Sequence, residues 1–164
     1  WGASGHGGDS SAVQDQLQNV RQIAASDFAF AAIRADGSVV SWGDAGFGGD
    51  STAVQAQLKN VQRIQATDGA FAALLGDGSV VTWGDANCGG DSTGVQESLN
   101  NVQQIQATSS AFAAIRGDGS VISWRNARHG GDSSAVRDQL KNVQLIQANQ
   151  DAFAAILSNG SVVT

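Results

Sequence analysis

The segment Ser110-Ala-Phe-Ala-Ala-Ile-Arg116 is apolar at every position between its polar ends. It is too short for a stable solitary helix, and its apolar side chains on both faces predict a central β-strand covered on both sides. Asp118-Gly119 follows, then the apolar run Ser120-Val-Ile-Ser-Trp124. Asp-Gly between two apolar runs predicts a tight hairpin, read here as a type I′ turn with positive φ at both central residues. Upstream, Val102-Gln-Gln-Ile-Gln-Ala107 alternates Gln with Ile and Ala over its later half, the pattern of a strand with one wet face. The three runs together predict a three-stranded antiparallel meander.

Before the meander lies Asp91-Ser-Thr-Gly-Val-Gln-Glu-Ser-Leu99. Thr93 followed three residues later by Gln96 has the form of a capping box, and Ser11 with Gln14 and Thr52 with Gln55 repeat it. Ser134 keeps the hydroxyl, but Arg137 replaces the acceptor. This connection is read as one or two helical turns docking Val95 and Leu99 on the sheet, with an irregular loop as the alternative.

The same pattern recurs along the chain. Trp1, Trp42, Trp83 and Trp124 stand 41 residues apart and divide the 164 residues into four copies. They are accompanied by Phe30, Phe71, Phe112 and Phe153, by Asp9, Asp50, Asp91 and Asp132 of the Gly-Gly-Asp-Ser blocks, and by turn glycines Gly37, Gly78, Gly119 and Gly160. Such periodicity marks a solenoid or propeller, because one unit cannot bury its apolar face without a neighbour. The reading is an all-β, propeller-type repeat domain over 1–164, with blades 1–41, 42–82, 83–123 and 124–164. Ala-rich faces bearing the Phe let sheets approach closely, and the Trp and Ile positions are expected to fill a wider outer space. A right-handed β-helix is disfavoured, since Asp-Gly turns reverse the chain. Beginning at Trp1 without Met and stopping at Thr164, the sequence reads as a window of a longer array, or as a partial propeller that closes by oligomerising.

The strings Val-Gln-Gln-Ile-Gln-Ala, Ser-Ala-Phe-Ala-Ala-Ile, Asp-Gly-Ser-Val-Ile-Ser-Trp and Gly-Asp-x-x-x-Gly-Gly-Asp-Ser resemble repeats of the regulator of chromosome condensation family, especially its short-bladed members. The resemblance covers all four units. It implies a propeller, usually of seven blades, but leaves function open, since relatives include an exchange factor, ubiquitin-ligase scaffolds and enzyme inhibitors. Two departures stand out. A His common in the second strand of relatives is replaced by Ala or Phe, and Arg125-Asn126 stands where Gly43-Asp44 and Gly84-Asp85 occupy the matching places. No exchange activity is carried over.

Composition narrows the function classes. The formal charge is −6, and only the last unit is basic, with four Lys and Arg against three Asp. Its Arg125, Arg128, Arg137 and Lys141, with His129, are read as a solvated surface, and the acidic whole argues against extended nucleic-acid contact. No run reaches the length of a membrane span. The single Cys88 excludes an internal disulfide and leans toward an intracellular setting without fixing the compartment.

Residues repeated four times suit turns and caps better than catalysis. Variation collects after each Trp, placing His6, Phe47, Cys88, Arg125, Arg128 and His129 in candidate recognition loops. His6 with Asp9 and His129 with Asp132 make incomplete metal shells, and Cys88 lacks a nearby His for a nucleophile. The expectation is a non-enzymatic, cofactor-free protein-interaction or scaffold module. It would use rim loops and blade edges, including self-association through the terminal edges. A structural linker subunit and a repeated-pocket glycan or small-ligand binder are the alternatives.

Overall fold

The computed structural model describes all 164 residues. Each unit folds into one three-stranded antiparallel sheet. The strands are β1 (Val20–Ala25), β2 (Ala29–Arg34) and β3 (Val39–Gly43); β4 (Val61–Ala66), β5 (Ala70–Leu75) and β6 (Val80–Gly84); β7 (Val102–Ala107), β8 (Ala111–Arg116) and β9 (Val121–Arg125); and β10 (Val143–Ala148), β11 (Phe153–Leu157) and β12 (Val162–Val163). The predicted meanders are thus present in all four copies, and the sheets form a propeller-like array of four blades. The central strands are the most buried, as their uninterrupted apolar runs require: Ala111 through Ile115 all lie in the core.

The first strand of each blade, β1, β4, β7 and β10, packs against its counterpart in the next blade. Each strand of this kind carries a register shift near its start, as between Val61 and Arg63. Blade-to-blade cores are shared. Ala29, Ala31, Ile33 and Val39 of the first blade meet Leu58, Val61, Ile64, Phe71, Ala73, Val81 and Trp83 of the second. One face of each blade therefore presents small and aliphatic side chains, and the facing side of its successor presents Ile, Phe and Trp.

The tryptophans and the isoleucines of the first strands share a core with the phenylalanines. Phe71 and Trp83 are directly opposed on β5 and β6. Their rings stack at 5.2 Å, as do those of Phe112 and Trp124, with Phe30 and Trp42 at 5.3 Å. Each indole Nε1–H donates to a carbonyl 35 residues upstream: Trp42 to Gly7, Trp83 to Gly48 and Trp124 to Gly89. A buried indole needs such an acceptor, and register supplies it.

The hairpins are not type I′. Gly37, Gly78, Gly119 and Gly160 take positive φ, and the preceding Asp or Asn does not. Gly37 N–H donates to Arg34 O while Arg34 N–H donates to Ser38 O. This is the three-residue hairpin whose last position is left-handed and selects glycine. Asp36, Asp77 and Asp118 accept from the backbone and hydroxyl of the Ser two residues on.

The capping-box pairing is also corrected. The connections are short 3₁₀ turns, and none of their N-cap side chains closes the box. Instead Asp9, Asp50, Asp91 and Asp132 accept from the backbone N–H two residues on. Gln55 and Gln96 accept from Ser51 and Ser92 and donate to Val39 O and Val80 O, which ties each connection to the last strand of the preceding blade. The predicted docking holds, since Leu58, Leu99 and Leu140 are buried.

Neighbouring blades are joined at their outer turns as well. Asn19, Asn60, Asn101 and Asn142 are left-handed, with φ between 52° and 56°. That geometry turns the Asn60 carbonyl to Gly76 N–H of its own blade while the next N–H, of Val61, reaches Gly37 O of the blade before. Val102 to Gly78 and Val143 to Gly119 repeat the link.

Hydrogen bonds hold the carboxyls of Asp9, Asp36, Asp50, Asp77, Asp91, Asp118 and Asp132 below their ordinary value, the partners being Ser or Thr two residues on. A lowered folded-state pKa adds stability above the unfolded value near 3.8, and that stability is lost as pH falls through the lowered one. Melting temperature is therefore expected to be flat from neutral pH down to about 4.5 and to drop steeply below it. The Asp77→Asn variant, scanned by circular dichroism, should show a shallower acid limb.

Candidate interaction rim

The variable residues after each Trp are placed by identical local chemistry. Asp44, Asp85 and Asn126 accept from the backbone N–H two residues ahead and start 3₁₀ turns Ala45–Phe47, Ala86–Cys88 and Ala127–His129. Ala3 starts Ser4–His6 without a side-chain acceptor. A left-handed glycine ends each turn. The last residue of a turn is then anchored by its own carbonyl: Ser26 Oγ donates to Phe47 O, Thr67 Oγ1 to Cys88 O and Thr108 Oγ1 to His129 O.

Those anchors belong to the tight turns joining the first and second strands of each blade, and these turns are stitched together. Asp27 N–H donates to Asp68 O, Asp68 N–H to Ser109 O and Ser109 N–H to Gln150 O, each at 2.9 Å. One backbone ladder thus crosses all four blades and collects His6, Phe47, Cys88 and His129 on one rim.

The rim is chemically graded. His6 meets Phe28 edge-on with centroids at 4.4 Å, and Phe28 meets Phe47 at 4.5 Å. Further along, Cys88 Sγ lies 3.8 Å from Asp85 Oδ2 and 4.0 Å from Ser110 Oγ. Burial pushes the Cys88 thiol up, so it stays protonated at neutral pH and is a poor nucleophile. At the far end His129 Nδ1 lies 3.0 Å from both Ser109 Oγ and Asp151 Oδ1. Ser, His and Asp meet here at one ring nitrogen. A relay needs the hydroxyl and the carboxylate on opposite nitrogens, so this is a fastening and not a nucleophilic triad. Burial pushes the Asp68 carboxyl up, with Asp27 adding to the effect, His129 opposing it and Asp151 adding again.

The sequence pointed to the loop side chains but missed Ser26, Asp27, Phe28, Asp68, Ser109 and Asp151, which complete the surface. The His–Asp pairs weighed as ligands do not form: His6 turns to Phe28 and His129 to Asp151, while Asp9 and Asp132 serve backbone N–H groups. The basic residues of the last unit are dispersed. Arg125 reaches Asp91 at 3.7 Å and Ala86 O, and Lys141 reaches Asp138 at 3.9 Å. Arg125 also takes φ of 85°, where the three other copies place glycine at φ above 100°; a side chain there costs on the order of 1 kcal/mol. No helix is long and apolar enough to cross a membrane.

Residues 20–48 match the Regulator of chromosome condensation (RCC1) repeat family. No curated protein sequence matches the chain. Among solved structures, Prp20p of Saccharomyces cerevisiae, whose binding to Gsp1p and histones has been described, superposes with a TM-score of 0.68 at 18% identity, over 93% of this chain and 45% of that one. Human WBSCR16 gives 0.60 at 18% identity, over 87% and 46%. The ectodomain of the Arabidopsis thaliana receptor kinase ACR4 gives 0.56 at 16% identity, over 88% and 49%. These likenesses show a shared fold, and the chain spans less than half the length of each.

Proposed function

We propose that this chain, built of propeller repeats of the regulator of chromosome condensation type, is a non-catalytic module that binds a protein partner on the stitched rim. The observation that carries this reading is the four-turn ladder, which holds chemically different side chains on a common rigid frame. Repeats that kept identical loops would present one surface four times; these present an aromatic corner, a thiol and a His–Asp fastening in sequence. Asp27, Asp44, Asp68, Asp85 and Asp151 make the rim acidic, and an acidic rim beside the half-buried rings of Phe28 and Phe47 suits a basic peptide segment. Prp20p is a structural relative with protein ligands, which is in keeping with such a role.

The test is fluorescence anisotropy with a Lys- and Arg-rich peptide, followed by the same titration on a variant with His6, Phe47 and His129 changed to Ala and Asp68 to Asn. Binding that weakens at least tenfold in the variant, and weakens with added salt, supports the rim. Equal binding by both proteins, or no binding by the parent, contradicts it.

A further inference from the structure

Three of the four connections are fastened by a side-chain amide, and the fourth is not. Gln14, Gln55 and Gln96 accept from the hydroxyls of Ser10, Ser51 and Ser92. Gln55 and Gln96 also donate to Val39 O and Val80 O, on the outer edges of β3 and β6. The third strand of a blade pairs on one side only, so main-chain groups on its far edge need cover. Each carboxamide gives that cover as the peptide unit of an added strand would: its carbonyl takes a proton and its N–H gives one to the edge.

Arg137 stands at this place in the fourth unit. A guanidinium has five N–H donors and no acceptor, so it cannot take the Ser133 proton. Ser133 Oγ accepts from Ser123 Oγ at 2.9 Å and has no acceptor for its own hydrogen. Val121 pairs with Ile115 as Val39 pairs with Ile33, which turns its carbonyl to the same outer side, where no side-chain amide meets it. One donor and one acceptor are thus left facing outward beside a cation.

A hollow of about 280 Å³ lies there, lined by Val121, Ser133, Ser134 and Arg137. It shares Gly94, Ser123 and Gly131 with a second hollow of about 420 Å³ that reaches Trp124 and Arg125, so one groove follows the β9 edge. The matching hollow at the first junction, about 310 Å³, is lined by Val39, Ser51 and Gln55. The hollow is therefore a feature of the repeat, and the exchange of Gln for Arg changes its chemistry. A second exchange falls on the same groove, since Gly94 stands where the other connections have Ala12, Ala53 and Ala135 and takes a methyl group from the wall. The nearby carboxylates are engaged: Asp132 accepts from Ser134 N–H, Arg125 faces Asp91 at 3.7 Å, and Lys141 faces Asp138 at 3.9 Å. Arg137 is exposed and pairs with none of them.

We infer that this groove docks an extended acidic peptide segment of a partner protein along β9. One peptide unit of the segment takes the part that Gln55 and Gln96 play elsewhere, accepting from Ser133 Oγ and donating to Val121 O, and a Glu or Asp of the segment pairs with Arg137. The occupant is a peptide because the same donor and acceptor hold an amide at two other junctions of this chain. It is acidic because the one unpaired charge in the groove is a guanidinium. The inference does not depend on the rim reading.

The experiment is fluorescence anisotropy with a labelled, end-capped peptide of alternating Thr and Glu, beside its Thr and Lys counterpart, on the parent and on Arg137→Ala and Arg137→Gln. Both variants remove the charge, and only Gln brings the carboxamide that fills the site from within. The parent should bind the acidic peptide, with amide NMR shifts gathered on Val121, Ser123 and Ser133. Arg137→Ala should bind it a few-fold more weakly, and Arg137→Gln about tenfold more weakly again. The Gln variant should also melt above the Ala variant, as the tie to the strand edge is restored. No binding by the parent, equal binding of the Lys peptide, or shifts confined to the rim turns would overturn the proposal. Gln and Ala variants that bind equally, or a Gln variant that melts no higher, would overturn it too, since the site would then not fit an amide.

Discussion

Phe71→Ala is expected to destabilise the chain by about 3–5 kcal/mol, the range for a buried aromatic truncated in a core that only partly relaxes. Phe71 is fully buried, stacked on Trp83, and part of the core that the first two blades share. Its loss removes a blade's own packing and a blade-to-blade contact at once. In an array whose units lean on neighbours, the damage should extend past the second blade, so urea unfolding should broaden as well as shift. The matching change at Phe30, which is only half-buried at the open face of the first blade, should cost distinctly less. Equal losses at the two positions would contradict the assignment of Phe71 to an internal junction and Phe30 to an open one.

Gly89→Ala should be nearly as damaging although it adds a single methyl group. Gly89 has φ of 100°, and the added Cβ would stand 2.6 Å from the Phe112 ring and 3.6 Å from the Trp124 Nε1. A side chain in the left-handed region costs about 1–2 kcal/mol, and forcing a methyl into a filled core about 1–3 kcal/mol more. Together they give a loss of roughly 2–5 kcal/mol. Gly94→Ala is the control, because its Cβ meets nothing within 4 Å and its φ is not positive; there a gain of up to about 1 kcal/mol is expected. Urea midpoints of the two variants should move in opposite directions. A tolerated Gly89→Ala would mean that the aromatic stack does not rest on the Gly-Gly pair.

The blades were legible because their signals are local. Apolar runs and Asp-Gly reversals depend on neighbours within a few residues, and the 41-residue recurrence of Trp repeats them; strands, reversals and repeats appear as read, while the turn type does not. The errors lie where one sequence motif serves two geometries. Asp36-Gly37 fits a type I′ turn and a three-residue hairpin equally well, and strand register, which the dipeptide does not encode, selects the second. Ser and Gln near the helical turns imitate a capping box, but Gln55 finds a better partner in Val39 O of the preceding strand. The Trp–Phe stack was missed for a related reason, since cross-strand opposition depends on hairpin length. At the rim, variable positions such as Phe47 and His129 stood out by comparison among copies. The ladder from Asp27 to Gln150 left no trace, because backbone groups 41 residues apart bond without any side-chain signature.

The central claim is that successive units are equivalent blades, with Trp42, Trp83 and Trp124 locked in the same seat at the three internal junctions. Hydrogen exchange of the four indole Nε1–H groups, followed by NMR on a uniformly labelled sample, tests it most directly. Trp83 and Trp124 should exchange at closely similar, strongly slowed rates, since each is buried and bonded to a glycine carbonyl, with Trp42 protected but less so at its half-open blade. Exchange of Trp83 or Trp124 at the rate of a free indole, or widely different protection of the two, would contradict the account.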